Sequence, residues 1–441
     1  MTPSSAPLRR SLGLLQATAL VVGVIIGASI FVQPSEIVRD VASVGGVFLV
    51  WSVAGLLTAS GALICAELAS AWPQTGGVYV FLRSTLSPAL GFLWGWAMFW
   101  IMHSGIAAAI AMVFGRYTAY FLPWGDAAVK PLAVGAIVLV SGINYAGVQH
   151  GGRLQAAFTI GKVAAIAAII AVAFALGAPH AAEAAPAVVS GGDATGFLTA
   201  VAAGLFAFGG WHMVTYTAGE TVDPRRTLPR ALMIGVAIVV VCYIALNAAY
   251  LYVLPLDTMV ASTRVAADAA DAVLGSGGAA FMSALVGFST FGALAGVVLA
   301  GPRVYHAMAE DGLLFRWVAA VHPRHRTPHR AIVLQAIWSC VLVATGTYRG
   351  LFTRVVYTEW LFFALMAAGL LLARRRPGYA PAYRVWGGPL VPGLFIVGAL
   401  GVVASQVALQ PLDSAAGLGF VLLGLPVYFF WEARRAHHRR P

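Results

Sequence analysis

The chain has 441 residues, of which 60% are hydrophobic and 10% charged, and its mean hydropathy is +0.85. A soluble chain carries roughly 25% charged residues, so this composition excludes a soluble enzyme or binding domain and points to a protein that crosses the bilayer many times. The net charge of +11 does not call for nucleic acid, because the order of the spans accounts for it.

Apolar runs of about 18 residues or more recur along the whole chain. They predict helical spans at 13–33, 44–70, 88–120, 130–147, 153–177, 195–219, 230–254, 279–308, 329–347, 354–373, 388–408 and 414–431. With the N-terminus taken as cytoplasmic, the outer side receives Arg39, Arg116, Lys130, Arg264, Arg349 and Arg354. Lys162 lies inside a span, and the other basic residues are cytoplasmic. That asymmetry follows the positive-inside rule and places both termini in the cytoplasm. The opening RRSLGLLQATALVVGV is read as the first span and not a cleaved signal, because the apolar run is too long and more spans follow.

The first span contains GVIIGASIF, Gly23 to Phe31. Glycine weakens a helix, and a break in hydrocarbon leaves backbone N–H and C=O groups unpaired at a cost of several kcal/mol each. The second span ends near Glu67, the third carries His103, and the fifth carries Lys162. After a polar outer stretch at 179–194, the sixth span reads GLFAFGGWHMVTYTAGE, with Gly209-Gly210 at its centre and Glu220 at its end. Spans one and six hold the same place in two sets of five. This predicts an inverted repeat with paired broken helices. Residues 1–178 form the first repeat, broken near 26–30, and 179–375 the second, broken near 208–212. Residues 376–441 hold two more spans and a basic cytoplasmic tail. Exposed N–H groups beyond a break suit a carboxylate, and exposed carbonyls before it suit an ammonium. A zwitterion satisfies both; the competing reading is that the glycines only let helices pack closely.

Lys162 sits among apolar residues in FTIGKVAAIAAII. An ammonium at that depth needs a partner, unless it snorkels to the interface. Glu67 and Glu220 are read as gate-region ion-pair partners or as solvated helix ends, and Glu359 in the tenth span is placed near an outer vestibule. His212 and His103 are candidates for a pH-sensitive or side-chain contact, against satisfied packing. Cys65, Cys242 and Cys340 all fall within spans, so no disulfide-linked partner subunit is expected. No spacing of His, Cys or Asp suggests a metal. No phosphate-cradling glycine loop is present, so ATP-driven transport is not supported and no cofactor is expected.

Several segments together resemble the amino acid–polyamine–organocation superfamily, and within it bacterial relatives of the L-type amino acid transporters. They are GVIIGASIF with Pro34, AELASAWPQTGGVYVFL from Ala66, FAFGGW from Phe206, DPRRTLPRA from Asp223, and STFGALAGVVLAGPRVYHAMAEDGLLF from Ser289. The resemblance covers nearly the whole chain. It implies an all-α leucine-transporter fold, a 5+5 inverted repeat plus two peripheral helices, and sodium-independent amino acid transport with exchange as the usual mode. It implies that the carbonyls of Ile25, Phe206, Ala207 and Gly209 hold the substrate amino group. The N–H groups of Ala28 and Ser29, beside Gly27, would hold its carboxylate. Phe206 would close over the substrate. Lys162 would take the place of a sodium ion, touching carbonyls of the broken first helix and a hydroxyl of Ser289 or Thr290. Ser29, His212 beside Trp211, and Ala295 depart from the usual pattern and bear on substrate choice. The wall near Ser29, His212 and Met213 lacks an obvious acidic residue, which favours neutral substrates. Proton-coupled uptake through Lys162 is the alternative. A membrane-embedded enzyme using His103, His212 and Glu67 is disfavoured by their expected spread over different depths, and a channel by the lack of a filter repeat or sensor domain.

Overall fold

The computed structural model describes residues 8–41, 43–177, 194–262, 265–275, 277–346 and 348–437. Nearly all of the outer stretch at 179–194, Arg264 and the last four residues lie outside them, as do the side chains of Arg349 and Arg354. The described chain is all-helical, apart from a single parallel bridge between Leu12 and Thr221. In order the helices are α1 (Leu14–Ile25), α2 (Gln33–Val41), α3 (Val44–Ala71), α4 (Val78–Thr85), α5 (Pro88–Ala119), α6 (Gly125–Tyr145), α7 (Val148–Leu176) and α8 (Ala194–Ala207). A 3-10 segment, Trp211–Glu220, follows. Then come α9 (Pro224–Val253), α10 (Leu256–Ala261), α11 (Val265–Leu274), α12 (Gly278–Ala300), α13 (Pro302–Glu310), α14 (His329–Thr345), α15 (Tyr348–Ala373), α16 (Leu390–Leu409), α17 (Pro411–Leu422) and α18 (Gly424–His437).

Among the described residues, ten helical stretches are long and apolar enough to cross a membrane. The first and ninth expected spans correspond to shorter apolar helices, α1 and α14. The ends follow local chemistry. Ser43 and Ser87 cap α3 and α5 by accepting from the N–H groups of Gly46 and Leu90, and Pro88 and Pro224 occupy first turns, where a missing N–H costs nothing. α14 stops at Gly346, whose left-handed φ of +73° suits glycine. α5 is not regular: a π-helical turn, Met98–Met102, precedes His103, and the Ser104 hydroxyl donates to the Phe99 carbonyl five residues back.

α1 is the axis of the molecule, packed on α7, α9 and α12. In the most apolar 18-residue window of each, 83% of the α12–α13 stretch is buried, against 22% in α7 and in α16. The apolar surface of the outer helices thus faces outward, as a bilayer requires, and the chain is a multi-pass membrane protein.

Candidate functional site

The first span does not run to residue 33. α1 ends at Ile25, Ile26 leaves the helix at ψ +85°, and a short 3-10 turn, Ser29–Phe31, leads into α2. The released carbonyls are taken by side chains. Lys162 on α7 donates to Gly23 O at 3.0 Å, Ile26 O at 2.7 Å and Ser289 O at 2.9 Å. Its three ammonium hydrogens are therefore all used, and the side chain is fully buried. It does not snorkel. The expected hydroxyl contact is made differently: Lys162 meets the Ser289 carbonyl, while the Ser289 hydroxyl donates to Ile26 O and Gly27 O, each at 3.3 Å. The Thr290 hydroxyl bonds back to Val286 O and Gly287 O on its own helix, so Thr290 is not brought to Lys162. Thr159 donates to Ala19 O at 2.9 Å one turn earlier.

The two glycines of GVIIGASIF do different work. A Cβ on Gly23 would collide with the side chains of Gln155 and Thr159, whereas one on Gly27 would meet only the Ala293 methyl at 3.8 Å. Close packing thus explains Gly23, whereas Gly27 is buried at ordinary contact distance and would admit a methyl without collision. Beyond it, the N–H groups of Ala28 and Ser29 have no acceptor among the described residues, and both residues are half-buried.

The second break has the same logic with other parts. α8 ends at Ala207, the Gly209 N–H donates back to Phe206 O at 3.1 Å, and Gly210 turns the chain at φ +95°. A Cβ on Gly210 would strike Val24 of α1, so the breaks lie against each other. Gly209 and Phe206 are exposed at this point, Phe206 by 42%. Trp211 is instead buried against Phe363 and Phe395. One residue that the sequence did not single out joins the two breaks. The Tyr243 hydroxyl on α9 lies 3.0 Å from Ile25 O and 3.1 Å from Ala207 O. With one hydrogen it serves one carbonyl fully at a time. A tyrosine in an apolar helix carries no pattern that would have flagged it.

Glu67 and Glu220 are not solvated helix ends. Glu220 and Arg303 form a fully buried bidentate pair, at 2.7 and 2.9 Å. Glu67 accepts two bonds from Arg374, one from the Tyr379 hydroxyl and one from the Val385 N–H. Burial and the adjacent Glu67 carboxylate hold the Tyr379 phenol well above its usual range, so it remains a donor. A third pair, Arg83 with Asp311, is joined by the Tyr79 hydroxyl. Residues 11 and 12 pair with the end of the 3-10 segment through Glu220 O. These locks lie at the end of the bundle that carries the basic loops.

Glu359 is not at an outer vestibule. Its carboxylate lies 3.5 Å from Nε2 of His212, so the wall near His212 does hold an acidic residue. Register explains the difference: Glu359 follows Tyr357 and Thr358 well inside α15, whose helical course begins at Tyr348 and not at 354. His103 and Tyr216 stack edge-on near the same imidazole.

The sequence profile described as amino acid permease matches residues 12–425. The chain belongs to that family. It is 32% identical to the serine/threonine exchanger SteT of Bacillus subtilis, over 97% of this chain and 98% of that one. It is 30% identical to the human large neutral amino acids transporter small subunit 2, over 96% of this chain and 81% of the relative. It is also 30% identical to the mouse Asc-type amino acid transporter 1, over 97% and 82%. The family and its relatives are transporters.

Proposed function

We propose that this permease exchanges neutral amino acids across the membrane without sodium, by alternating access. The observation that carries the reading is Lys162. Its ammonium is bonded to carbonyls of the first break and of α12, and a second cation beside it would be repelled. The carrier therefore runs without sodium, with a fixed charge holding the broken helix in shape. Support for exchange comes from the relatives, one of which is a serine/threonine exchanger.

The substrate sits between the two breaks. Its carboxylate takes the N–H groups of Ala28 and Ser29, beside Gly27. Its ammonium takes carbonyls among Ile25, Phe206, Ala207 and Gly209, displacing the Tyr243 hydroxyl from those it now occupies. Phe206 closes over it, and Trp211 and His212 form the wall below. Lys162 with Ser289 holds the sodium-like position, and Thr290 stiffens the helix behind it. The bundle of spans one, two, six and seven moves against the rest. Glu220 with Arg303, and Glu67 with Arg374, tie the two bodies together at the gate.

In this reading residues 1–178 and 179–375 are the two inverted repeats, and 376–441 are peripheral. Both termini face the cytoplasm of a bacterial inner membrane, which puts the locked gate on the cytoplasmic side. The chain performs no covalent chemistry.

Counterflow in sodium-free proteoliposomes tests this. Labelled neutral amino acid is expected to enter vesicles loaded with unlabelled amino acid, and to fail to enter empty ones. Entry into empty vesicles driven by an inward proton gradient would replace exchange with symport. No uptake of any amino acid would sink the zwitterion site.

A further inference from the structure

In the buried polar cluster beside the second break, His212 has a role above as part of the substrate wall, while Glu359, His103, Tyr216 and Tyr305 have none. His212 is fully buried, and neither of its ring nitrogens has a hydrogen-bond partner. Glu359, 3.5 Å away on α15, keeps 11% of its side chain exposed. His103 on α5 is fully buried, with Nδ1 3.2 Å from the Tyr305 hydroxyl of α13 and Nε2 unpartnered. Tyr216, one turn past His212, stacks on both imidazoles, and its hydroxyl is also unpartnered. Buried polar groups are normally hydrogen-bonded, and here the ring atoms of His212 and His103 and the Tyr216 hydroxyl lie in one stacked group.

The neighbouring elements supply no compensating charge. Arg303 of α13 is committed to Glu220, Arg374 just beyond α15 to Glu67, and Arg83 of α4 to Asp311. His306 of α13 faces Glu310. On α3, the Cys65 thiol lies against the Met366 sulfur, and on α9 the Tyr243 hydroxyl faces Ile25 O and Ala207 O. Glu359 thus stands as a buried carboxylate beside the His212 imidazole, with no Lys or Arg partner among the described residues.

We propose that Glu359 and His212, backed by His103, Tyr216 and Tyr305, form a proton-binding site behind the wall of the amino acid site, which links the cytoplasmic gate to pH. This rests on the exchange reading, because the gate is the one that exchange opens. One proton from water is held between the carboxylate and the imidazole, which makes the pair neutral overall. His212 and Tyr216 belong to the moving 3-10 segment, and Glu359, His103 and Tyr305 to the helices it moves against. Opening the gate separates His212 from Glu359 and hydrates the carboxylate, and the proton returns to water. A buried unpaired carboxylate is costly and a hydrated one is not. The closed gate therefore binds the proton more tightly than the open one, and by linkage acid holds the gate closed. The π-helical turn before His103 belongs to the same device, since such a turn sets the rotation of the helix beyond it.

The test is counterflow at equal internal and external pH, stepped from about 8 down to about 5, the range in which histidine-linked sites titrate. Wild-type exchange is expected to slow on acidification, approaching about tenfold per pH unit on the steep limb, as one proton requires. Glu359→Gln is expected to be slow and flat, Glu359→Asp to restore a limb, and His212→Asn to flatten it. A Glu359→Gln profile that follows wild type overturns the proposal, as does a flat wild type. A change in which amino acids are exchanged, with the pH limb intact, overturns it in favour of a side-chain subsite. In all these cases exchange itself is still measured, so the exchange reading survives. If Glu359→Gln does not transport, proton uptake by the solubilised protein in weak buffer decides over the same range. Wild type is expected to take up about one more proton per chain than the variant, where an ordinary glutamate would take up almost none. Equal uptake overturns the proposal.

Discussion

Lys162 and Glu359 are both ionisable side chains buried among apolar helices, and their surroundings are opposite. Lys162 has three acceptors for three hydrogens. Glu359 has one ion-pair neighbour among the described residues, His212, at 3.5 Å, and neither ring nitrogen of that neighbour has a hydrogen-bond partner. A saturated charge is a fixed structural part, and breaking its set leaves several groups unpaired at once. An unsaturated one has room to change its protonation. The same fold thus holds one buried ionisable group in a full set of bonds and leaves the other without one.

The largest effect is expected from removing the saturated charge. Lys162→Met leaves the Gly23, Ile26 and Ser289 carbonyls without their ammonium donor, at about 1–3 kcal/mol for each buried group left unpaired. Counterflow should be abolished, and the thermal midpoint in detergent should fall by many degrees. Survival of exchange would mean that Lys162 does not shape the broken helix.

Next comes the packing that brings Lys162 to α1. Gly23→Ala drives a methyl into Gln155 and Thr159, and overpacking of this kind costs about 1–3 kcal/mol. Gly27→Ala meets only the Ala293 methyl at ordinary contact distance and should leave the thermal midpoint unchanged while reducing exchange. Equal thermal shifts from the two would erase the distinction drawn between these glycines.

Tyr243→Phe removes one hydroxyl that two carbonyls share. A loss of about 1 kcal/mol is expected, together with a weaker preference for the closed arrangement, read as a changed apparent affinity in counterflow. The smallest shift in stability belongs to Glu359→Gln. It has no saturated bond to lose, so the thermal midpoint at neutral pH should hold or rise slightly, in contrast to Lys162→Met. A large drop would show that Glu359 is a structural charge like Lys162.

Much of this was determined by the sequence alone. Apolar runs and basic loops announce a multi-pass membrane protein because hydrocarbon tolerates neither charge nor unpaired backbone. Glycine pairs in otherwise unbroken spans marked where α1 and α8 stop, because helix-breaking residues act locally. Lys162 stood out because an ammonium among apolar residues is conspicuous at any position. Contacts between distant helices were decided only by the tertiary structure. Nothing local marks Tyr243 as the residue that reaches both breaks, or Arg303 and Arg374 as the buried partners of Glu220 and Glu67. Thr290 adjoins Ser289 in the chain, yet helix rotation turns its hydroxyl back onto its own helix while the Ser289 carbonyl faces Lys162. Glu359 was misplaced for the same reason: its depth and its neighbour His212 depend on how α15 lies against the 3-10 segment, and side-chain chemistry inside a membrane protein is set by which helix faces meet.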